Sequence, residues 1–264
     1  MSHPGFIHSR GFGLILAAVP VLTLAFVMAG CGASNPYPPG SYERGVFFAE
    51  HGKDVEAVAA LESFVRANPT DSLAAEAQYL KGLTYMEMGE YPLAAVEFQI
   101  LRKDYPISDK VEDALFQEGV AYFEQVGRIE RDITGAYEAR LHFLKFSQEY
   151  PQSVHMPEVT DYMARISDLM VKKRLEQIKI YKQLKRYQAV AITLDDILIE
   201  EAGSSLIPEV MWERAMAARK LEDPDTEARM YERLITEFPD SRYTSKADKN
   251  LRNLDEAESD EDDY

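Results

Sequence analysis

The longest apolar run of the sequence lies near its start. Residues 11–30 contain no charged side chain, and Arg10 stands directly before them. A basic residue, an apolar stretch and small residues at its end are typical of a secretory signal peptide. About 20 apolar residues are also enough for a membrane-spanning helix, but Pro20 and the small pair Ala29-Gly30 favour a cleaved signal. The pattern therefore predicts a signal peptide over residues 1–30.

The single cysteine, Cys31, directly follows this run. A lone cysteine can neither close an intrachain disulfide nor hold zinc by itself. The stretch Met28-Ala29-Gly30-Cys31 is similar to the lipobox of bacterial lipoproteins, in which the Cys thiol is acylated and the chain is cut before it. Several acyl chains on one residue anchor a protein stably. We predict that Cys31 is lipidated and begins a Pro-rich linker over residues 31–41. Gly32 favours the outer membrane, because an Asp there retains many such lipoproteins in the inner membrane.

From residue 42 onward the apolar positions recur with a period of 37 residues. Three segments align in phase: RGVFFAEHG (44–52), KGLTYMEMG (81–89) and EGVAYFEQV (118–126). The second unit fits the signature of a tetratricopeptide repeat (TPR), a helix-turn-helix of about 34 residues, with its marker positions at Gly82, Tyr85, Ala94, Phe98 and Pro106. Small residues let the two helices pack closely, aromatic residues fill the space between them, and proline ends the second helix.

Later units follow the pattern less strictly. The fourth lacks the Gly and the closing Pro, and no internal Pro or Gly interrupts residues 157–186, which predicts an unusually long first helix. The fifth keeps Trp212, Ala215 and Pro239. Residues 241–254 then place apolar side chains on one face, as a capping helix requires. The sequence predicts an all-α TPR solenoid of five repeats with a C-terminal capping helix, spanning residues 42–254.

Charge limits the class of partner. The chain carries a net charge of -16, and residues 255–264 (DEAESDEDDY) contain seven acids and no base. Such a surface repels phosphate backbones, so nucleic acid binding is not expected. The acidic segment 255–264 is predicted to be a disordered, solvated tail.

Candidate chemistry is sparse. The histidines have neither metal-ligand spacing nor a nucleophile beside them: His3, His8, His51, His142 and His155. The phased acids Glu50, Glu87 and Glu124 would lie about 10 Å apart on successive units, too far to share one metal. We expect no metal, no cofactor and no catalytic residue, and hence a binding protein.

TPR phasing places one aromatic residue per unit on the concave face. Tyr42, Tyr79 and Phe116 are 37 residues apart, and aliphatic residues follow one turn later at Val46, Leu83 and Val120. An aromatic stripe along a groove suits an extended or helical peptide. The alternative is that these rings pack between neighbouring helices, and the sequence leaves both possibilities open.

Together these features resemble the BamD family of outer-membrane lipoproteins. The resemblance rests on the lipobox, the Pro-rich linker, five TPRs and closing motifs such as YPISD (105–109) and YPQSV (150–154). The pair Arg131-Asp132 before YEARLHF in the third unit is a more specific match. The acidic tail and Ile133 depart from the family pattern.

The resemblance implies a non-catalytic scaffold on the periplasmic face of the outer membrane. It implies that the C-terminal TPRs hold the POTRA region of a BamA-like barrel protein, beside other Bam lipoproteins, and that the N-terminal TPRs receive unfolded outer-membrane proteins. Arginine is enriched at interface hot spots, which makes Arg214, Arg219 and Arg229 the candidate docking residues of the less regular second half. Two alternatives remain: a TPR lipoprotein assisting pilus or secretin assembly, and a CpoB-like cell-envelope coordinator.

Overall fold

The computed structural model describes residues 35–126 and 132–262, with the helical backbone alone for residues 257–262. The chain divides into a first unit, Met1–Tyr37, and a second unit, Pro38–Tyr264. The helices of the described residues all lie in the second unit: α1 (Tyr42–Glu50), α2 (Asp54–Ala67), α3 (Ala74–Glu87), α4 (Tyr91–Asp104), α5 (Lys110–Glu124), α6 (Thr134–Glu149), α7 (Met156–Gln183), α8 (Tyr187–Glu200), α9 (Ile207–Lys220), α10 (Pro224–Glu237) and α11 (Thr244–Asp262).

The helices pair as the 37-residue period predicts. α1 with α2, α3 with α4, α5 with α6, α7 with α8, and α9 with α10 form five repeats, and α11 packs on α10 as the cap. We call the first helix of each repeat its A helix and the second its B helix. No strand occurs in the part of the chain that the structure describes. The predicted all-α TPR solenoid is confirmed.

The closing prolines end four of the five B helices in the same way. Asn68, Tyr105, Tyr150 and Phe238 each precede a proline, and each has φ between -125° and -134° and ψ between 54° and 61°. A proline pushes the preceding residue out of the helical region, so the B helix stops there. The fourth repeat has no closing proline, and α8 ends instead at Glu201, with φ -120° and ψ 32°.

Within a repeat, the turn from A helix to B helix needs a left-handed residue. Gly52 and Gly89 supply it, with φ of 64° and 72°. In the fourth and fifth repeats the same position is occupied by Lys185 and Glu222, with φ of 53° and 57°. A residue with a Cβ adopts this conformation at a cost of about 1–2 kcal/mol.

The long helix α7 joins two hydrophobic clusters. Val159, Ile166 and Met170 pack with the third repeat, whereas Val171 and Ile178 pack with the fourth and fifth repeats. The predicted long helix, residues 157–186, is confirmed at Met156–Gln183. The two halves of the solenoid therefore share α7 as a common structural element.

The last helix extends beyond the predicted boundary. Residues 255–262 continue α11 as helical backbone, although the sequence suggested a disordered tail from residue 255. The stretch from Thr244 to Asp262 contains no Pro or Gly that would stop a helix. Among the described residues, no helix is both long enough and apolar enough to cross a membrane.

Candidate functional site

The predicted aromatic row is partly open at the first two repeats. Tyr42 on α1 and Tyr79 on α3 are half-buried. Each ring leans on the B helix of its own repeat, with ring centroids 5.9 Å apart for Tyr42 and Phe64 and 5.7 Å apart for Tyr79 and Phe98. Leu83, one turn after Tyr79, is also half-buried. These side chains pack on one side and keep part of their surface available to a ligand.

Tyr79 lies among charged groups from two A helices. Lys110 Nζ is 5.6 Å from the Tyr79 ring centroid and 3.1 Å from Glu76 Oε2. Burial, together with the nearby carboxylates of Asp113 and Glu76, raises the pKa of Tyr79 to about 12. The phenol therefore stays protonated and can donate a hydrogen bond to a bound peptide.

At the third repeat the same row is closed. Phe116 is 3% exposed and Val120 is 8% exposed. The His155 ring stacks on Phe116 at 4.4 Å with an interplanar angle of 8°, and His155 Nε2 lies 3.0 Å from Asp113 Oδ1. Tyr162 of α7, two turns further on, also packs against Phe116, with ring centroids 6.4 Å apart. The prediction that Phe116 and Val120 line an open groove is wrong, because α7 and the residue before it cover them.

Arg214 is also an internal residue. It is 9% exposed, and its Nε and Nη2 donate to Asp195 Oδ1 and Oδ2 at 2.7 and 3.1 Å. Asp195 lies on α8, so this bidentate pair ties the fourth repeat to the fifth. Its prediction as a partner-docking residue is therefore wrong, since its guanidinium is engaged within the solenoid.

Arg219 and Arg229 keep accessible surface. Arg219 lies in the last turn of α9 with its side chain 45% exposed, and its Nε donates to Glu227 Oε1 at 2.8 Å. Arg229 on α10 is exposed, and its Nη2 donates to Thr226 Oγ1 at 3.0 Å. Beside Arg219 is an open pocket of about 400 Å³ with cationic and apolar walls, lined by Lys182, Tyr187, Met216, Ala217, Arg219 and Lys220. This surface suits a partner group that combines negative charge with an apolar side chain.

In the second, third and fifth repeats, sequence reasoning missed the role of the charged residue that precedes the small residue of the A helix. Lys81, before Gly82, is 5% exposed and pairs with Glu62 of α2 and, at 2.8 Å, with Glu97 of α4. Glu118, before Gly119, is fully buried and bonded by Arg102 of α4. Arg214 occupies the same position in the fifth repeat. A charge adjacent to a buried glycine was the available signal in the sequence, and it points to ion pairs between repeats.

No group of three His, Cys, Asp or Glu side chains comes together as a metal site within the described residues. Glu50, Glu87 and Glu124 are each exposed at the end of an A helix. The absence of a cofactor and of a catalytic residue stays a prediction. Cys31 and Arg131 lie outside the described residues, so lipidation at Cys31 stays a prediction as well.

Comparison with solved structures finds other TPR proteins. A tetratricopeptide repeat protein from Parabacteroides merdae is 16% identical, with 80% of this chain and 71% of that chain covered and a TM-score of 0.37. A thermophilic TPR protein of Thermus thermophilus is 15% identical, with 81% and 96% covered and a TM-score of 0.35. No curated protein matches the chain significantly.

Two family models match consecutive parts of the solenoid. Residues 209–241, which contain most of α9 and all of α10, match the tetratricopeptide repeat model. Residues 85–208, from the end of α3 to the start of α9, match the model of the YfiO family, described as an outer membrane lipoprotein. This second match covers the long helix α7 and the third repeat, which carried the more specific part of the sequence resemblance. Together the two matches are consistent with a TPR lipoprotein of the YfiO (BamD) family.

Proposed function

We propose that this protein is a non-catalytic scaffold of outer-membrane protein assembly, anchored through a lipid on Cys31 to the periplasmic face of the outer membrane. In this proposal the first two repeats bind unfolded outer-membrane proteins, and the last two bind the POTRA region of a BamA-like barrel protein within a Bam complex. The YfiO match over residues 85–208 carries the proposal. The different surfaces of the first and second halves support the assignment of one partner to each half.

The first half offers a site for a variable peptide. Tyr42, Tyr79 and Leu83 are half-buried on successive A helices, so their rings and methyl groups are held in place by packing and still accessible. Aromatic side chains provide large contact areas at low entropic cost, and the protonated Tyr79 hydroxyl adds one directional contact. Phe116 ends the row because α7 covers it, which limits the proposed peptide site to the first two repeats.

The second half offers a different surface. Arg219 is held by Glu227 and by Tyr231 Oη, to which its Nη2 donates at 3.0 Å, so its guanidinium is preorganised beside the pocket of Lys182 and Met216. Preorganised arginine is favoured at interface hot spots. Arg229 extends the cationic surface onto α10. A single folded partner with a matching acidic surface would fit this half.

Peptide binding can be tested with the double variant Tyr42→Ala/Tyr79→Ala in the full chain. We expect weaker binding of a labelled unfolded outer-membrane protein segment, measured by fluorescence anisotropy, because both open rings of the row are lost. The control is Ile199→Ala, which removes an exposed apolar residue from the B helix α8, outside the aromatic row. Equal binding by the wild type and the double variant, at unchanged helical circular dichroism, would contradict a peptide site on this row.

Barrel docking can be tested by affinity purification from solubilised envelope. We expect a BamA-like barrel protein to co-purify with the wild type and to be reduced with Arg229→Ala. Arg233→Ala is the matched control, because Arg233 lies one turn further along α10 and pairs with Glu237 on the same helix, at 2.8 Å. Recovery of secretin or pilus proteins without any barrel assembly factor would overturn the assignment.

A further inference from the structure

The B helices of the central repeats carry apolar residues on the side that faces away from the core. Val96, Leu141 and Ile192 each stand two residues before a fully buried core residue, respectively Phe98, Phe143 and Leu194. Two residues along an α-helix correspond to a rotation of about 200°, so these side chains point outward. They are 48%, 61% and 55% exposed.

Further exposed apolar residues extend this row. Leu93 on α4 and Tyr137 and Leu144 on α6 are between 43% and 51% exposed. At the position equivalent to Val96, the fifth repeat carries the exposed Arg229 and the first carries the small Ala59. At this position, apolar residues are therefore confined to the second, third and fourth repeats. We call Leu93, Val96, Tyr137, Leu141, Leu144 and Ile192 the B-helix band. Tyr137, Leu141 and Leu144 are four and three residues apart and so share one face of α6, and exposed apolar patches mark interaction sites.

A cationic pocket borders the band between α4 and α6. Its volume is about 280 Å³, and it is lined by Gln99, Arg102, Lys103, Glu118, His142 and Lys145. Glu118, the only acid among these lining residues, is fully buried and bonded by Arg102. Lys103 and Gln99 make no hydrogen bond or ion pair among the described residues, and Lys145 is 3.8 Å from Glu149. The pocket therefore presents positive charge on a chain whose net charge is -16.

The electrostatics of His142 agree with a positive pocket. Its pKa is lowered to about 4 by burial and then by the positive charges of Arg102 and Lys145. The Glu118 carboxylate, with Oε1 3.6 Å from His142 Nδ1, does not reverse this direction. An acidic group entering the pocket would lie beside Lys103 and Lys145, and Lys103 makes no ion pair among the described residues, so the group is attracted there.

We propose that the B-helix band and this pocket bind an internal segment of a partner polypeptide, in which an acidic side chain adjoins apolar ones. The carboxylate enters the pocket beside Lys103 and Lys145, and the apolar side chains lie on Val96 and Leu141. This interaction goes beyond the proposed function, because it uses the B helices and neither the aromatic row nor Arg219 and Arg229.

Geometry suggests the spacing of the segment. Val96 and Lys103 lie on one face of α4, as do Leu141 and Lys145 on α6, because residues four or seven apart share a helix face. The pocket is lined by residues of both α4 and α6, so the two helices lie within reach of one segment. An extended chain advances about 3.1 Å per residue, so leucines a few positions apart can contact both helices.

The probe for this site is a labelled ten-residue peptide, acetylated and amidated at its ends, with leucines three positions apart followed by two glutamates. We expect saturable binding to the full chain in fluorescence anisotropy, weakened at least about tenfold by Leu141→Ser and by the double variant Lys103→Gln/Lys145→Gln. A peptide with glutamines in place of the glutamates should bind more weakly, and added salt should reduce the difference between the two peptides.

Two control variants distinguish binding at this site from nonspecific binding of the peptide. Ile107→Ser removes a fully exposed apolar residue from the loop after α4, and Lys249→Gln removes an exposed lysine from α11. Both should bind the peptide as the wild type does. The proposal is wrong if the capped peptide does not bind saturably, if the variants at Leu141, Lys103 and Lys145 bind it unchanged, or if only a peptide with a free C-terminal carboxylate binds. None of these outcomes depends on the binding of barrel proteins.

Discussion

Phe98 fills the space that a side chain on Gly82 would need. A Cβ on Gly82 would lie 2.5 Å from Phe98 Cε1, well inside van der Waals contact. The same relationship recurs between Gly45 and Leu61 at 2.5 Å and between Gly119 and Phe143 at 2.8 Å. The A helix approaches its B helix this closely only because each of the first three repeats has glycine at this position.

Gly82→Ala should therefore destabilise the protein. Overpacking against an aromatic ring costs about 1–3 kcal/mol, and the better helix propensity of alanine offsets up to about 1 kcal/mol of that cost. We expect a net loss in the free energy of unfolding, measured by urea denaturation. Gly203→Ala is the control, because a Cβ there meets no atom within 4 Å. A Gly82→Ala variant as stable as the control would show that the ring can move aside.

Glycine should stabilise the protein at the two turns where another residue adopts the left-handed conformation. Lys185 and Glu222 adopt φ of 53° and 57° at the position where Gly52 and Gly89 stand in earlier repeats. Lys185→Gly and Glu222→Gly should each raise the free energy of unfolding by about 1 kcal/mol, because glycine adopts this conformation without a clash. Differential scanning calorimetry would measure the rise in Tm. As a control, Gly89→Ala should lower Tm, and a fall in Tm for both glycine variants would contradict the left-handed assignment.

Local patterns were enough to predict the fold. The small residue, the aromatic residue and the closing proline of each repeat act within about 35 residues of one another, and they set the helix boundaries. The left-handed turns at Lys185 and Glu222 were not predicted, because neither residue type signals that conformation. The continuation of α11 past residue 254 was not predicted. The acidic composition of this segment indicated a solvated tail, and the absence of Pro and Gly, which favours a helix, was given less weight.

The site was harder to predict from sequence than the fold. TPR phasing located Tyr42 and Tyr79 on the A helices, but the burial of Phe116 depends on His155 and Tyr162, which lie about 40 residues further along the chain. Arg214 looked like a surface arginine because its partner Asp195 is on another helix. Periodicity specifies the face on which a residue lies, but the neighbouring repeat decides whether that face is covered.

The stability of the third repeat should depend on pH through His142. The pKa of His142 is lowered from 6.5 to about 4, chiefly by burial, so in the folded protein the ring stays neutral at a pH where the unfolded chain already binds a proton. Stability is therefore fully present above pH 6.5 and is lost as the pH falls toward 4. At about 1.4 kcal/mol per pH unit, the loss amounts to about 3 kcal/mol at most.

Urea denaturation between pH 7 and pH 4 would measure this contribution. His142→Gln should flatten the pH dependence in this interval, because glutamine does not titrate. His51→Gln, which changes an exposed histidine on the first repeat, should leave the profile unchanged. If His142→Gln had the same pH profile as the wild type, burial of the neutral ring would not be the source of the dependence.

The sharing of α7 between two clusters predicts that the solenoid cannot be divided before this helix. Val159, Ile166 and Met170 are at most 3% exposed and pack with Phe116 and Phe143. A chain ending at residue 154 lacks these three side chains, each of which contributes about 1.5–3 kcal/mol when buried. Their sum is comparable to the whole stability of a typical domain, about 5–15 kcal/mol.

We therefore expect the fragment 38–154 to bind a hydrophobic dye and to unfold at low urea without a cooperative transition, because the rings of the third repeat are uncovered. The fragment 38–183 is the matched control: it retains all of α7 and should unfold cooperatively, although Val171 and Ile178 are then exposed on its far side. Equal urea midpoints for the two fragments would mean that the third repeat does not need α7. If the midpoints differ as expected, the binding functions of the two halves must be separated by point variants in the full chain, since a cut at 154 would unfold the third repeat as well as remove the second half.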